Sequence, residues 1–425
     1  MIGIRGGRLV DPLSKTEKQA DLLIENGKIA AVGEPLDESR CEQIVDAQGL
    51  VVAPGVVDVH VHFRDPGLTY KEDILTGAAA AAAGGFTTVI CMANTKPPVD
   101  NEETLRYVLE KKKETGIHVL TCACVTKGMA GRELTDMERL RELGAAGFTD
   151  DGIPILDEGL LCSAMEEAAR LQVPISLHEE DPRLIENNGI NRRAVSEKLG
   201  LGGSPAEAEI TMVERDCRLA EETGAALNIQ HISTAGAVDA VRRSKQRGSR
   251  VTAEAAPHHF TLTDQAVLTY GTLAKMNPPL RTENDRLAVI EGLRDGTIDM
   301  IATDHAPHSA EEKEKGLKDA PSGIIGLETA LALGITQLVE PGCLSLLELM
   351  EKMSQNPAKL YHLPYQGIAA GAAADLVIFD EKEVWTPERF HSKSGNSPFI
   401  GKKLTGRVRY TICGGKLVYE ASEQS

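Results

Sequence analysis

The chain has 425 residues, of which 42% are hydrophobic and 26% charged, and its formal net charge is −17. This length predicts a barrel-sized domain with a smaller one beside it, and the composition is that of a folded globular protein. The negative charge and the 4% aromatic content exclude nucleic acid as an expected partner, because phosphates would be repelled and few rings are available for stacking.

The sequence also argues against a membrane or secreted protein. No run of eighteen apolar residues is present. The first residues, MIGIRGGRLV, lack the apolar region and cleavage site of a signal peptide, so we expect a cytoplasmic protein. The 8 cysteines are scattered without a CxxC pair, which favours reduced thiols over a disulfide framework.

Both ends of the chain predict short strands. ADLLIENGKIAAVG contains two apolar runs joined by Asn26-Gly27, a dipeptide typical of two-residue hairpins. Near the C-terminus, AADLVIFD is strand-like and RYTICGGKLVYE predicts a turn at Gly414-Gly415. Neither end has enough apolar length to fold well alone. We therefore predict that residues 1–52 and 363–425 pair into one small β-sandwich domain.

The intervening residues 53–362 alternate strand-like and helix-like segments. The predicted strands cover residues 56–63, 87–95, 118–125, 145–151, 173–180, 226–233, 250–260 and 299–307. Helical patterns such as YKEDILTGAAAAAAGG separate most of them. Eight such βα units predict a closed (β/α)₈ TIM barrel. An open doubly wound sheet is the alternative, although no GxGxxG follows an early strand.

Metal-ligating residue types lie at the predicted strand ends. In PGVVDVHVHFR, apolar and polar residues alternate, so His60 and His62 share one face and can reach one metal ion. Later strands end at Asp150, Asp151, His178, His231 and Asp304. A barrel brings these ends to one face, where four histidines and two carboxylates would suit two metals bridged by a carboxylate and a hydroxide. This chemistry predicts hydrolysis of an amide or ester, with Asp304 placed to carry the proton.

The motifs PGVVDVHVHFRDPG, FTDDG, KMNPPLR and MIATDHAPHSAEEK, with Asn94, His178 and His231 at strand ends, resemble those of dihydroorotases in the amidohydrolase superfamily. The resemblance spans nearly the whole chain and is to the branch with an aspartate bridge in place of a carbamylated lysine. It implies reversible hydrolysis of L-dihydroorotate to N-carbamoyl-L-aspartate in pyrimidine biosynthesis, with two Zn²⁺ ions per subunit. It also implies a homodimer or a complex with aspartate transcarbamoylase.

The resemblance assigns residue roles by position. The implied ligands are His60, His62 and Asp304 for one ion, His178 and His231 for the other, and Asp151 as the bridge. Asp304 would also be the general acid and base. The implied substrate-binding residues are His62, Arg64, Asn94, Asn277, His308, Ser322 and Gly323. Within this set, Arg64, Asn94 and His308 would hold the substrate carboxylate, for which the guanidinium fork is suited.

Three points stay open. Strand alternation puts Asp150 and Asp151 on opposite faces but does not tell which points inward. Residues 309–323 would form either a mobile lid over the site or a plain solvated loop. A dihydropyrimidinase, hydantoinase or allantoinase would share the HxH motif, but residues 144–151 contain no lysine for the carbamate those relatives usually carry. A non-catalytic amidohydrolase-like subunit is the third possibility, although every ligand position is filled.

Overall fold

The structure, a computed structural model, describes residues 1–422. Its β-strands are β1 Ile2–Asp11, β2 Thr16–Glu25, β3 Lys28–Val32, β4 Gln43–Asp46, β5 Val51–Pro54, β6 Val56–Val61, β7 Phe86–Cys91, β8 His118–Thr121, β9 Ile175–Leu177, β10 Leu227–Ile229, β11 Val251–Ala255, β12 Met300–Ile301, β13 Leu376–Trp385, β14 Leu404–Cys413 and β15 Lys416–Glu420.

The α-helices are α1 Ile74–Ala83, α2 Glu102–Lys111, α3 Met137–Leu143, α4 Glu158–Leu171, α5 Ala194–Leu199, α6 Ala206–Thr223, α7 Ala235–Gln246, α8 Pro257–Thr261, α9 Ala266–Tyr270, α10 Glu283–Asp295, α11 Ala310–Lys313, α12 Gly316–Asp319, α13 Ala330–Gly334, α14 Leu346–Met350 and α15 Asn356–Leu360. Two π-helical turns, Ile335–Val339 and Glu351–Gln355, continue α13 and join α14 to α15. In residues 1–422, no helix is both long and apolar enough to cross a bilayer.

The strands from the two chain ends form one mixed sheet. Its order is β15-β14-β13-β5-β1-β2-β3, with β4 paired to the first half of β1. The antiparallel pairing of β5 with β13 joins the N-terminal strands to the C-terminal ones. Both predicted turns lie between paired strands, and Asn26 and Gly27 have the positive φ angles of 51° and 78° that a two-residue hairpin turn requires. The exact domain boundaries, 1–52 with 363–425 and 53–362, stay a prediction.

Parallel strands of the middle region form a ring. The three-stranded sheet β6-β7-β8 and the four-stranded sheet β12-β11-β10-β9 account for seven positions. A bridge from Val61 to His305 connects β6 to the segment that follows β12. The ring is completed by Phe148, which bridges to Ala123 after β8 and to Ile175 in β9.

The fourth barrel position is therefore one bridging residue rather than the strand predicted at residues 145–151. The backbone still makes parallel ladder bonds there, from Phe148 N to Pro174 O at 3.1 Å and from Ser176 N to Phe148 O at 2.9 Å. Beyond Phe148 the ladder stops because the Asp150 carboxylate accepts hydrogen bonds from the backbone of Val125 and Thr126. The Asp150 side chain thus accepts hydrogen bonds that the backbone of a neighbouring strand would otherwise accept.

The sheet and the barrel have connected hydrophobic interiors. Leu376 and Ile378 of β13 pack in a hydrophobic core that is formed by residues of the two chain ends. Their neighbours Val377 and Phe379 face the other way and belong to the barrel core. Because successive side chains of a strand point to opposite faces, one strand contributes to both interiors.

Candidate metal centre and substrate pocket

A cavity of about 180 Å³ lies at the C-terminal ends of the barrel strands. Its lining residues are His62, Arg64, Asn94, Asp151, Gly152, His178, His231, Asn277, Asp304, Ala306, His308, Ser322 and Gly323. Of the metal ligands and substrate contacts predicted from the sequence, His60 alone does not line it, although its Nε2 lies 3.5 Å from carboxylate oxygens of Asp151 and Asp304. The cavity is smaller than the roughly 300–1,000 Å³ of pockets for drug-sized ligands, so it suits a compact metabolite.

Two histidines and two carboxylates form the first group of possible ligands. His60 Nε2 lies 3.5 Å from both Asp151 Oδ1 and Asp304 Oδ1. His62 Nε2 lies 3.0 Å from Asp304 Oδ1 and 3.5 Å from Asp151 Oδ2. The side chains of all four residues are at least nine-tenths buried.

A second group shares Asp151 with the first. His178 Nδ1 lies 3.0 Å from His231 Nε2, which in turn lies 3.9 Å from Asp151 Oδ1. The ligand atoms of these three residues, like those of His60, His62 and Asp151, all lie within 4.8 Å of one another. Asp151 is thus common to both groups, with Oδ1 near both His60 and His231 and Oδ2 near His62.

The buried imidazole nitrogens fit metal ligation. His60 Nε2 has no hydrogen-bond partner although it is buried, and such a group normally requires one. On the other side of the ring, His60 Nδ1 lies 2.5 Å from Glu254 Oε1. A proton on Nδ1 that is donated to Glu254 leaves the Nε2 lone pair free for a cation. His62 is arranged similarly, with Nδ1 2.9 Å from Asn94 Oδ1.

The carboxylates of Asp151 and Asp304 are ionised. Burial alone would raise the pKa of Asp151, but the imidazoles around it, that of His60 foremost, hold the pKa far below its usual range. The pKa of Asp304 is also lowered against the effect of burial, by the hydrogen bond with His62 and by the neighbouring imidazoles. Both groups are therefore anionic at neutral pH, as ligands and proton acceptors must be.

The structure distinguishes Asp150 from Asp151. The Asp150 carboxylate accepts from Val125 N at 2.8 Å and from Thr126 N at 3.2 Å, so it caps the segment that follows β8. Asp151 faces the cavity. Asp58, on the same strand face as His60, is also structural, because its carboxylate accepts from the backbone of His60 and Thr303. Glu254 and Asp58 were not recognised from the sequence, although a carboxylate inside an apolar strand was the available signal.

Cationic and neutral nitrogen groups gather at the other end of the cavity. Arg64 Nη2 lies 3.5 Å from His308 Nε2, and Arg64 Nε donates to Pro307 O at 3.3 Å. Lys71 Nζ lies 3.3 Å from His308 Nδ1 and 2.8 Å from Glu312. Burial and the nearby cations lower the pKa of His308 to about 2, so this imidazole stays neutral. Lys71 was not recognised from the sequence.

The remaining predicted substrate contacts differ in whether their polar groups already have hydrogen-bond partners within the protein. Asn94 Nδ2 donates to Asp151 Oδ2 at 3.0 Å, so Asn94 connects His62 to Asp151. Asn277 Oδ1 is buried without a partner. The Ser322 carbonyl lies 2.8 Å from His308 Nε2, and the Gly323 N–H donates to Lys275 O at 2.8 Å. The backbone groups of Ser322 and Gly323 are therefore already engaged within the protein.

A larger cavity of about 640 Å³ lies between the barrel and the terminal sheet, where Trp385, Phe390 and Tyr419 line it. None of the residues predicted to be functional takes part in it. Size alone therefore does not locate the chemistry, whereas the convergence of buried histidines and carboxylates does.

Comparison with known proteins agrees with this site. A family model described as dihydro-orotase-like matches residues 49–237, and one described as amidohydrolase family matches residues 323–419. A dihydroorotase from Clostridioides difficile is 58% identical over 421 residues, which covers 99% of this chain and 100% of the relative. A dihydroorotase from Clostridium acetobutylicum is 50% identical over 422 residues, covering 99% and 100%. The chain belongs to the dihydroorotase family.

Solved structures of similar shape place this dihydroorotase family member among the TIM-barrel amidohydrolases. An L-hydantoinase from Arthrobacter aurescens superposes with a TM-score of 0.87 at 29% identity, covering 99% of this chain and 96% of that one. A D-hydantoinase from Thermus sp. gives a TM-score of 0.84 at 25% identity, covering 100% and 97%. The predicted fold class, a (β/α)₈ barrel with a β domain, is confirmed.

Proposed function

We propose that the chain catalyses the reversible hydrolysis of L-dihydroorotate to N-carbamoyl-L-aspartate in pyrimidine biosynthesis. The observation that carries this proposal is the composition of one small cavity, in which two histidine–carboxylate groups lie opposite the Arg64 guanidinium. The first end suits an amide that is to be hydrolysed, and the second suits a carboxylate on the same ring. Whole-chain identity to two dihydroorotases supports the same activity.

We propose two Zn²⁺ ions as cofactors. His60, His62 and Asp304 would hold one, His178 and His231 the other, and Asp151 would lie between them. Imidazole nitrogen and carboxylate oxygen are a ligand set that suits zinc. Bound there, the ions would supply a water that is nucleophilic at neutral pH and would polarise the ring carbonyl.

The side chains of the cavity would bind the ring and move its proton. Arg64 would form paired hydrogen bonds with the substrate carboxylate beside His308, and Asn277 Oδ1, which has no partner in the protein, would accept a hydrogen bond from the ring. As water adds to the amide carbonyl carbon, the Asp304 carboxylate would accept its proton. The same group would return that proton to the ring nitrogen while the C–N bond breaks, so that one water is consumed and the ring opens.

The test is a direct comparison of three cyclic substrates. Purified protein with its metal content counted is assayed with L-dihydroorotate, dihydrouracil and allantoin. We expect turnover of dihydroorotate and little of the two neutral rings. A preference for a neutral ring would favour the hydantoinase type of activity. Metal-loaded protein that turns over none of them would favour the non-catalytic role.

The role of Asp151 as bridge has its own test. Asp151 is a permanent anion at neutral pH and needs no added carbon dioxide to become one. Metal-free protein reconstituted with Zn²⁺ in buffer stripped of carbon dioxide is therefore expected to regain full activity. Activation that depends on bicarbonate, or a carbamate mass on any lysine, would show that another residue supplies the bridge.

We also propose a homodimer and an association with aspartate transcarbamoylase, both on the strength of family resemblance. Sedimentation of the purified chain, alone and mixed with that enzyme, tests both. If the chain is a monomer that does not bind the transcarbamoylase, both proposals are wrong, and the proposed activity is unaffected.

A further inference from the structure

Three potential metal ligands meet at the opposite end of the barrel from the catalytic cavity. His118 is the first residue of β8, Asp375 directly precedes β13, and Cys413 is the last residue of β14. Their ligand atoms all lie within 4.8 Å of one another. His118 Nε2 lies 3.1 Å from Asp375 Oδ2. The residues come from three separate segments, and none of them has a part in the proposed hydrolysis.

Two of the three ligands are held in position by the backbone. Asp375 Oδ1 accepts from Gly414 N at 2.6 Å, which fixes the carboxylate next to the residue that follows Cys413. The Cys413 thiol is buried and donates to Thr87 O at 3.5 Å. His118 is the adjustable member, because its side chain is 51% exposed. Zinc bonds of about 2.0–2.3 Å separate tetrahedral ligand atoms by roughly 3.3–3.8 Å, so a shift of the imidazole by about an ångström completes the geometry.

The charges of the three groups favour a cation between them. Burial, and then the nearby Asp375 carboxylate, raise the pKa of the Cys413 thiol, which therefore stays protonated in the absence of a cation. The hydrogen bond to Asp375 raises the pKa of His118. A divalent ion displaces the thiol proton and pairs with the resulting thiolate and the carboxylate. A site that contains Cys, His and Asp selects a zinc-like ion over Mg²⁺ or Ca²⁺, which prefer oxygen ligands.

We propose that His118, Asp375 and Cys413 bind one zinc-like divalent ion, with water as the fourth ligand on the exposed side of the imidazole. This junction site joins a barrel strand to the sheet built from the chain ends. At the N-terminal face of a barrel such a site is structural, because catalysis belongs to the other face. Its metal is bound through a thiolate, which the proposed catalytic ligand set does not contain.

The thiolate makes the junction site measurable in the full-length, catalytically loaded protein. Titration with Cd²⁺ alone is expected to produce thiolate-to-metal charge-transfer absorption that saturates at one equivalent. Cys413→Ala should abolish the absorption. His118→Gln should weaken Cd²⁺ binding at this site by at least about tenfold, since the loss of even an outer partner usually costs that much. Cys217→Ala, which removes an equally buried thiol from α6, serves as the matched control and should leave the absorption intact.

Thermal unfolding gives a second readout that does not depend on cysteine absorption. At the same Zn²⁺ concentration, added Zn²⁺ is expected to raise the Tm of the wild type and of Cys217→Ala by more than that of His118→Gln, whose kcat should equal that of the wild type. Because His118 is half-exposed, this variant keeps the test valid if Cys413→Ala fails to fold. Absence of the absorption in the wild type, or its survival in Cys413→Ala, overturns the proposal, and so does an equal Tm gain in His118→Gln.

Discussion

At the scale of single residues, Asp304 combines two properties that the proposed reaction needs. It lies in the segment after β12, the last barrel strand, with a positive φ of 49°, and its Oδ1 lies 3.0 Å from His62 Nε2. Its lowered pKa keeps it ionised at neutral pH. The proposed roles of Asp304 as metal ligand and proton acceptor therefore need no change of conformation.

Asp304→Asn is expected to reduce kcat for dihydroorotate by at least roughly 10²–10⁴-fold, the usual contribution of general acid–base catalysis. An amide cannot accept the proton, but its oxygen can still face a metal, so most of the metal should remain bound. Steady-state kinetics together with a metal count tests both expectations. Asp319→Asn, at an exposed position of α12, is the matched control. If Asp304→Asn has the kcat of that control, Asp304 is not the general acid and base.

Arg64→Met is expected to raise KM for dihydroorotate by about ten- to a hundredfold, because charge-assisted hydrogen bonds contribute about 1.5–3 kcal/mol. Relative kcat/KM for dihydrouracil, which lacks the carboxylate, should rise. Arg64→Lys keeps the charge without the planar fork and should fall between the two. Unchanged selectivity in Arg64→Met would mean that the carboxylate binds elsewhere in the cavity.

The site residues that could be recognised from the sequence lie at or near predicted strand ends. Their side chains can bind a metal or a substrate group without help from a distant residue. The orientation of Asp151 could not be derived, because it follows from the capping of Val125 and Thr126 by Asp150. Glu254 and Lys71 were missed for a similar reason. Each acts through a histidine that is distant in sequence, and such partners become visible only when the chain is folded.

At the scale of elements, strands and hairpins with clear alternation were predictable and irregular ones were not. β6, β7 and β11 lie within or beside the predicted ranges, and the helix expected from YKEDILTGAAAAAAGG is α1, which the Asp73 side chain caps. The fourth strand was overestimated, since its ladder ends after one residue. A side-chain carboxylate that replaces a strand partner leaves no trace in hydrophobic periodicity.

The segment 309–323 is tied down rather than plainly solvated. It contains α11 and α12, and the buried Lys313 donates from Nζ to both Pro321 O and Gly323 O at 2.9 Å. Lys275 donates to Ala320 O at 2.7 Å. Two buried lysines thus hold the part of the segment that borders the cavity.

Lys313→Met is expected to loosen this segment selectively. Methionine fills the space but cannot donate, so the Pro321 carbonyl loses its lysine partner at a cost of about 1–3 kcal/mol. The Gly323 carbonyl loses one of two donors and keeps Asn396 Nδ2. Amide hydrogen exchange of residues 316–323 should accelerate and KM should rise, with little change in exchange of the barrel strands. Lys315→Met, at an exposed position on the same segment, should leave exchange unchanged. Equal protection in both variants would show that Lys313 is not the tether.

At the scale of the whole molecule, the two predicted domains share their interiors. Alternate residues of β13 pack into the sheet core and the barrel core. β5 runs into β6 through Gly55 alone, whose N–H donates to Asp375 O at 2.8 Å. The terminal sheet and the barrel are therefore packed against each other through β13, which composition and periodicity could not reveal, while the boundary at residue 52 stays a prediction.

Leu376→Ala is expected to destabilise sheet and barrel together. This side chain is fully buried in the sheet core, and such a truncation costs about 2–5 kcal/mol. Calorimetry should show one unfolding transition, shifted to lower temperature, while kcat measured well below the transition stays that of the wild type. Leu268→Ala, at an exposed site, should leave the Tm unchanged. Two separate transitions would mean that the terminal sheet melts on its own.

The pairing of β5 with β13 also constrains how the chain can be made in the cell. The first strands leave the ribosome with one edge unpaired, and the strand that covers it begins at Leu376. At synthesis rates of about 5–20 residues per second, the roughly 320 intervening residues take about 15–60 s to emerge. During that time the apolar edge of β5 is open to misassociation between nascent chains on neighbouring ribosomes. The N-terminal strands therefore keep this edge uncovered until residues 376–379 of β13 have emerged.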